Sequence, residues 1–402
     1  MRTILLLAVL MISSMSVAQE QRPVMRAPSA GDSFATWQNQ FRAHALAAGI
    51  SAQVFDLAFQ TVHYNPKTRA SDANQAEFIR PIWEYLDGAV SARNIATGRQ
   101  KAADYGAILK AIAQEYGVAS NILLAIWSME TNYGGFRGAT YTIEALANAA
   151  HDGRRQDFAQ SELIAGLKIL ASGAISQSQM IGGWSGAMGH TQFMPTTYLA
   201  YAVDHNGDGR RDIWSDDPSD ALASTAHYLK RLGWDNSIPW GIEVTLPGGF
   251  DYALIGEHQT QSARFWNIRG VRVMSGGKLP DHGPTALLVP AGAGGPVFAI
   301  FSNFQVIRQY NMSISYALAV GHLSDRIAGL GPFQAPWPRN DPPLSRAEIR
   351  EIQQRLIAMG LDTGGADGMI GPKSVEAIQV FQTSNGMLAD GYPTQELLEI
   401  LR

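Results

Sequence analysis

Leu124-Ala125-Ile126-Trp127-Ser128-Met129-Glu130-Thr131-Asn132-Tyr133-Gly134 decides how this chain is read. It is a greasy helical stretch closed by one carboxylate, just ahead of a glycine-marked turn. Ile122, Ile126 and Glu130 recur at i, i+4 and i+8, so the acid continues an apolar stripe and is expected to face inward. Desolvation there disfavours the charged form and raises the pKa, as a general acid working near neutral pH requires. A lone glutamate at a helix end is more often turned to solvent; what singles out Glu130 lies further along the chain.

Gly186-Ala187-Met188-Gly189-His190-Thr191-Gln192-Phe193-Met194-Pro195 packs small residues around a glutamine and restarts a segment at Pro195. Small residues let backbone approach a ligand closely, and Gln192 offers both donor and acceptor to a sugar or a water. By itself the motif is equally a turn with a core methionine.

Composition bounds the rest. With 402 residues, 46% hydrophobic and 16% charged, the chain has room for two or three folded domains and little call for disorder. Its formal charge of -4 presents no basic surface, so nucleic acid is not an expected partner. Arg2, the apolar run Ile4 to Ile12 and Ser16-Val17-Ala18 read as a signal peptide, residues 1–18, cleaved after Ala18. That run is short of the roughly 20 residues that span a bilayer, so the mature chain is expected to have no membrane span. With no cysteine there is neither a lipid-bearing thiol nor a disulfide framework. The expectation is a soluble periplasmic protein.

Residues 19–33 are polar, contain proline and show no period, as a disordered leader would. Residues 34–330 are expected to form one mainly helical region, with breaks at Gly49, Asn65-Pro66 and Gly98. Within it, residues 240–307 read as a β-rich insert, because Ile242 to Leu246, Val271 to Val273 and Ala286 to Val289 are short runs bounded by glycine and proline. Helical pattern is expected to resume near Asn311 and end by Leu330. Residues 331–343 are proline-rich and read as a linker with few contacts. Residues 344–402 open with the capping box Ser345-Arg346-Ala347-Glu348. Their stripes, Ile349, Ile352, Leu356 and Met359, then Val375, Ile378 and Phe381, predict two helices, with a third near Thr394. The fold class is therefore mainly α with a small β subdomain (α+β), followed by a small three-helix unit.

That last unit resembles the peptidoglycan-binding domain, through Asp367-Gly368-Met369-Ile370-Gly371-Pro372, Phe381-Gln382, Asn385-Gly386 and Asp390-Gly391. The main region resembles lytic murein transglycosylases of the membrane-bound-B type, whose core is lysozyme-like. Glu130-Thr131-Asn132-Tyr133-Gly134 and Gly186 to Tyr198 carry that resemblance. It implies peptidoglycan glycan strands as the partner, Glu130 as the catalytic acid and Gln192 as an active-site residue. By matching segments it implies that Tyr85, Arg154, Arg155, Tyr228, Tyr310, Asn311 and Tyr316 border the cleft. Taken singly, such tyrosines are more often half-buried core residues, such arginines a solvated face and such an asparagine a helix cap. One position departs from the pattern: the usual serine is Gly183 here, and Ser185 lies two residues on.

Asp204, Asn206 and Asp208 occupy positions 1, 3 and 5 of a loop with Gly209 at 6, the spacing of a calcium loop, with the Arg210 carbonyl available at 7. Ser215 stands where a bidentate glutamate would close it, and the family's variant loop implies Asp220 instead. The alternative is a solvated Asp/Asn/Gly turn. Any calcium here is expected to be structural, since the chemistry implied for Glu130 needs no cofactor. The motifs supply one strong carboxylate, whereas a conventional glycosidase uses two. The resemblance implies that Glu130 acts as acid and then base, closing the muramoyl C6 hydroxyl on C1 to leave a 1,6-anhydro end. A water-using muramidase and a non-catalytic wall-binding scaffold are the rival readings.

Overall fold

The computed structural model describes residues 33–66, 81–152, 155–341 and 343–402. The signal segment, nearly all of the leader and Arg154 lie outside the described residues.

Serines start several helices, because a hydroxyl accepts one of the backbone N–H groups that a helix leaves without an internal partner. Ser33, Ser51 and Ser91 do so for Phe34–Ala47, Ala52–Phe59 and Ala92–Asp104. The helix Ser120–Thr131 is buried from Ile122 to Ser128, so it forms the axis of the first core. Around it pack Ile82–Ala89, Ala92–Asp104, Gly106–Tyr116, Ser302–Tyr310 and Ile314–Ile327. A second core gathers Phe34–Ala47, Ala52–Phe59, Thr142–Asp152, Gln156–Ala171 and Pro195–Tyr201. Tyr310 packs against both cores, which places it on the seam between them.

A two-stranded ribbon, β1 (Thr140–Tyr141) with β2 (Ile181–Gly182), adjoins the second core, against which Tyr141 packs. Beside it Gly138 has φ 100°, and a Cβ there would stand 1.9 Å from the Gly182 carbonyl oxygen. Glycine is thus required both for the left-handed backbone and for the close approach.

The β subdomain is an antiparallel sheet, β3 (Gly241–Thr245), β4 (Arg272–Val273), β5 (Ala286–Leu288) and β6 (Val297–Ile300), in the order β4-β3-β6-β5. In β6, Phe298 and Ile300 join the first core, while Val297 and Ala299 face a third around Trp266. This strand, buried on both faces, escapes the sequence reading because it lacks the polar alternation that marks a half-exposed strand.

Three expectations need correction. Gly98 does not break a helix: it lies inside Ala92–Asp104, where a Cβ would meet the Tyr133 hydroxyl at 2.5 Å and Ile327 at 2.6 Å, so the glycine serves close packing. Helix resumes at Ser302 rather than near Asn311. The proline-rich segment is a docked strap, not a loose linker. Phe333 stacks on His322 at 3.7 Å between ring centroids and also meets Phe298 at 4.7 Å. Gln334 and Ala335 donate their N–H groups to the Glu243 carboxylate, and Arg339 pairs with both oxygens of Asp87 at 2.7 and 2.8 Å. Prolines exclude helix, but they leave neighbouring N–H groups and aromatic side chains free to dock.

The C-terminal unit packs Arg346–Ala358, Pro372–Ser384 and Gln395–Leu401 around Ile352, Leu356, Ile378, Phe381 and Leu397. The capping box is present, with Ser345 and Glu348 satisfying each other's backbone. Met359 is exposed, outside the core that its spacing predicts. Asp390 accepts from the Ala293 N–H at 2.9 Å, so this unit touches the β subdomain.

Candidate active site

Glu130 stands in the last turn of its helix, half-buried, as its stripe predicts. The helix stops because Asn132 and Tyr133 adopt left-handed backbone, φ 50° and 58°, an arrangement that commonly ends helices. Facing the carboxylate is Tyr316, from the first turn of Ile314–Ile327, whose hydroxyl donates to Glu130 Oε1 at 2.6 Å. The Tyr310 ring lies parallel to that of Tyr316, with centroids 6.5 Å apart, and Tyr228 is 5.6 Å beyond. Burial, then the Glu130 charge, holds the Tyr310 and Tyr316 phenols well above their ordinary range. Both therefore stay protonated and remain donors. Tyr85 also packs against the first core, near Tyr316.

Tyr310 donates to the Thr191 carbonyl, which brings the Gln192 turn to the same seam. Gln192 itself has φ 52°, a strained conformation for a non-glycine residue that costs on the order of 1–2 kcal/mol. Its Nε2 donates to the Gly189 carbonyl at 2.8 Å and to that of Arg137 at 3.3 Å. The opposite end, Oε1, would lie 2.9 Å from a Cβ on Gly183, and Ser185 Oγ 4.0 Å from it. The Ser185 hydroxyl thus reaches the space that a side chain at position 183 would enter.

Two other expected residues have local partners. Asn311 Oδ1 accepts the Ser313 N–H at 3.0 Å, so this side chain shapes the turn between two helices. Arg155 is exposed, its guanidinium 4.8 Å from the Phe158 ring centroid.

At the loop, carboxylate oxygens of Asp204, Asp208 and Asp220 lie within 4.8 Å of one another. Asp220 is buried, accepts backbone N–H groups from His205 and Asp212, and is pushed up chiefly by burial, with the Asp204 charge adding. Asn206 Oδ1 accepts the Asp208 N–H, and Arg210 turns its guanidinium away toward the Ala174 carbonyl. Carboxylate oxygens converging this closely fit a hard divalent ion.

The sequence reading assigned nothing to His190, Thr131 or Arg137. Thr131 Oγ1 donates to the His190 carbonyl at 2.6 Å and accepts from the Gly134 N–H at 3.0 Å. Arg137 donates to the Ser215 carbonyl and to Asp216. His190 beside Gly189, and Thr131 directly after Glu130, were the available signal.

A mainly helical fold with a half-buried carboxylate facing a row of tyrosines on the seam of two cores is of the lysozyme-like class. The chain belongs to the transglycosylase SLT domain family, whose profile matches residues 33–325; residues 345–401 match the peptidoglycan binding domain family. It is 31% identical over 224 residues to membrane-bound lytic murein transglycosylase B of Escherichia coli (strain K12). That match covers 54% of this chain and 58% of the relative, so it spans little more than half of the curated protein. Among solved structures it is similar to SltB3 from Pseudomonas aeruginosa in complex with NAG-anhNAM-pentapeptide. There the identity is 47%, over 92% of this chain and all of that one, with a TM-score of 0.88. Escherichia coli Slt35 in complex with calcium is 27% identical, over 72% of this chain and 92% of that one, with a TM-score of 0.64.

Proposed function

We propose that this protein is a peptidoglycan lytic transglycosylase. It cleaves the β-1,4 bond between N-acetylmuramic acid and N-acetylglucosamine and leaves a 1,6-anhydromuramoyl end. The observation that carries this is the Glu130–Tyr316 pair, because the other buried carboxylates have different employment. Glu162 is occupied by the N–H and hydroxyl of Thr196 at the start of Pro195–Tyr201. Asp325 lies nine residues beyond Tyr316 on one helix, about 13 Å along its axis. A two-carboxylate hydrolase needs its acids roughly 5–10 Å apart across the sugar.

Glu130 protonates the glycosidic oxygen as the C1–O bond breaks. The resulting carboxylate takes the proton from the muramoyl C6 hydroxyl while that oxygen bonds to C1. The proton count closes on Glu130 and no water is consumed. Such proton transfer contributes roughly a hundred- to ten-thousand-fold in rate. Tyr316 stabilises the carboxylate form between the two steps, and Gln192, Tyr85 and Tyr228 border the sugar. Ser185 supplies a hydroxyl close to Gln192 where the family's usual serine is missing.

Asp204, Asn206, Asp208 and Asp220, with the Arg210 carbonyl, would hold a calcium ion that stiffens the loop and takes no part in the chemistry. The exported chain works in the periplasm, where the C-terminal unit binds the wall. Among the described residues no helix is long and apolar enough to cross a membrane.

Mass spectrometry of products released from purified sacculi tests the reading. Anhydro ends are expected, one water lighter than hydrolysed ends, and Glu130→Gln should abolish release while staying folded. Hydrolysed ends would make the protein a muramidase, and no release at all a scaffold.

A further inference from the structure

The imidazole of His190 is buried where four segments meet, and none of the chemistry above uses it. Its Nδ1 faces the indole N–H of Trp127 at 3.1 Å. Its Nε2 faces the Ser215 carbonyl at 2.7 Å and Arg137 Nη1 at 3.1 Å. Its backbone N–H donates to the Ile213 carbonyl at 3.0 Å, and its own carbonyl takes the Thr131 hydroxyl. Trp127 and Thr131 belong to the Glu130 helix, while Gln192 follows His190 by two residues.

These contacts choose one protonation state. An indole N–H only donates and a carbonyl oxygen only accepts. A proton on Nε2 therefore satisfies both Trp127 and Ser215, with a single donor-to-donor approach from Arg137, which already has Ser215 and Asp216 as partners. A proton on Nδ1 would oppose the indole N–H and also set two lone pairs against each other at Ser215. The imidazolium would oppose both the indole and Arg137. Gly134 seals the arrangement: a Cβ there would stand 2.6 Å from Nδ1, so a side chain would push the ring away.

We propose that His190, neutral with its proton on Nε2, is the positioning residue that locks the Glu130 helix end to the Gln192 turn. The Thr131–His190–Ser215 chain fixes the separation of the acid and the glutamine, and the loop 213–216 serves as its anchor. His190 itself touches no substrate. For its kinetic arm only, this inference rests on the reading of Glu130 as the glycan-cleaving acid.

The decisive comparison is His190→Leu against His190→Gln in the full chain, because the glutamine amide can accept from Trp127 and donate to Ser215, whereas leucine does neither. His190→Leu should lower kcat on solubilised glycan strands at least tenfold and change KM less, since Tyr85 is carried by a separate helix, Ile82–Ala89. His190→Gln should recover most of that loss. In parallel, ¹⁵N NMR of histidine-labelled protein should show His190 with Nε2 protonated and Nδ1 bare from pH 5 to 8, the signal being assigned by its absence in His190→Gln. Equal kcat in wild type and His190→Leu, no advantage of Gln over Leu, or a proton on Nδ1 would each overturn the proposal. If His190→Leu does not fold, the Gln variant's near-wild-type kcat and the NMR tautomer decide. Hydrolysed products from the wild type would remove the transglycosylase reading and leave the kcat comparison and the tautomer standing.

Discussion

Tyr316 donates its phenolic hydrogen to Glu130 Oε1 over 2.6 Å, joining two residues 186 positions apart. Because the phenol is held well above its usual range, the bond is never lost to ionisation at working pH. A hydrogen bond to a charged group contributes about 1.5–3 kcal/mol. Tyr316→Phe should therefore lower kcat by roughly ten- to a hundredfold. Steady-state turnover of sacculi, with circular dichroism to verify folding, checks this; an unchanged rate would remove Tyr316 from the mechanism.

The acidic loop predicts a stability effect. Calcium that binds the folded chain and not the unfolded one stabilises by about 2.7 kcal/mol at a hundred times its Kd. Melting temperature should rise on titrating calcium into chelator-treated protein, and Asp220→Asn should blunt the rise. Curves that superimpose with and without calcium would mark the loop as an ordinary turn.

Much of the site was legible because its residues cluster in motifs. The apolar stripe points Glu130 inward, and the small residues around Gln192 mark a close-approach turn, while their roles in the site come from the family resemblance. What stayed hidden depends on long-range packing. Gly98 looked like a helix breaker, yet its missing Cβ admits Tyr133 and Ile327. β6 is buried on both faces, so its pattern carries no period. The bond from the Ser313 N–H to Asn311 Oδ1, which shapes the turn after Tyr310, was likewise not legible. The strap was misjudged because proline content reports backbone conformation and says nothing of contacts; Phe333, Trp337 and Arg339 among those prolines held the information.

That strap makes separation of the two parts less simple than the linker reading implies. Phe333 packs on His322, Phe298 and Trp240 of the catalytic region. Phe333→Ala should destabilise by about 1–3 kcal/mol, less than truncation of a fully buried aromatic because Phe333 is half-buried. A chain ending before Phe333 should melt several degrees below one ending after Arg339. Thermal melts of the three proteins decide it, and equal melting temperatures would return the segment to the status of a passive linker.

Asp325 offers a test with a definite sign. Its carboxyl is pushed up to about 6, chiefly by burial, while the Trp240 indole N–H donates to Oδ2 at 3.0 Å and works the other way. In the unfolded chain an aspartate ionises near pH 4. Between about pH 4 and 6 the unfolded chain therefore releases a proton that the folded chain keeps, so this group's contribution to stability declines as pH rises through that window and is flat above it. At most about 3 kcal/mol is involved, and less after solvent screening. Asp325→Asn keeps an acceptor for Trp240 and removes the charge. The variant should match wild type near pH 4 and be more stable by pH 7.5. Nearby His322 is pushed down to about 4 by burial and titrates in both proteins, so it cancels to first order in the difference. Denaturant melts of both proteins across pH 4 to 8 measure that difference directly. A gap that is constant with pH, or widest at pH 4, would show that the buried carboxyl does not carry the strain assigned to it.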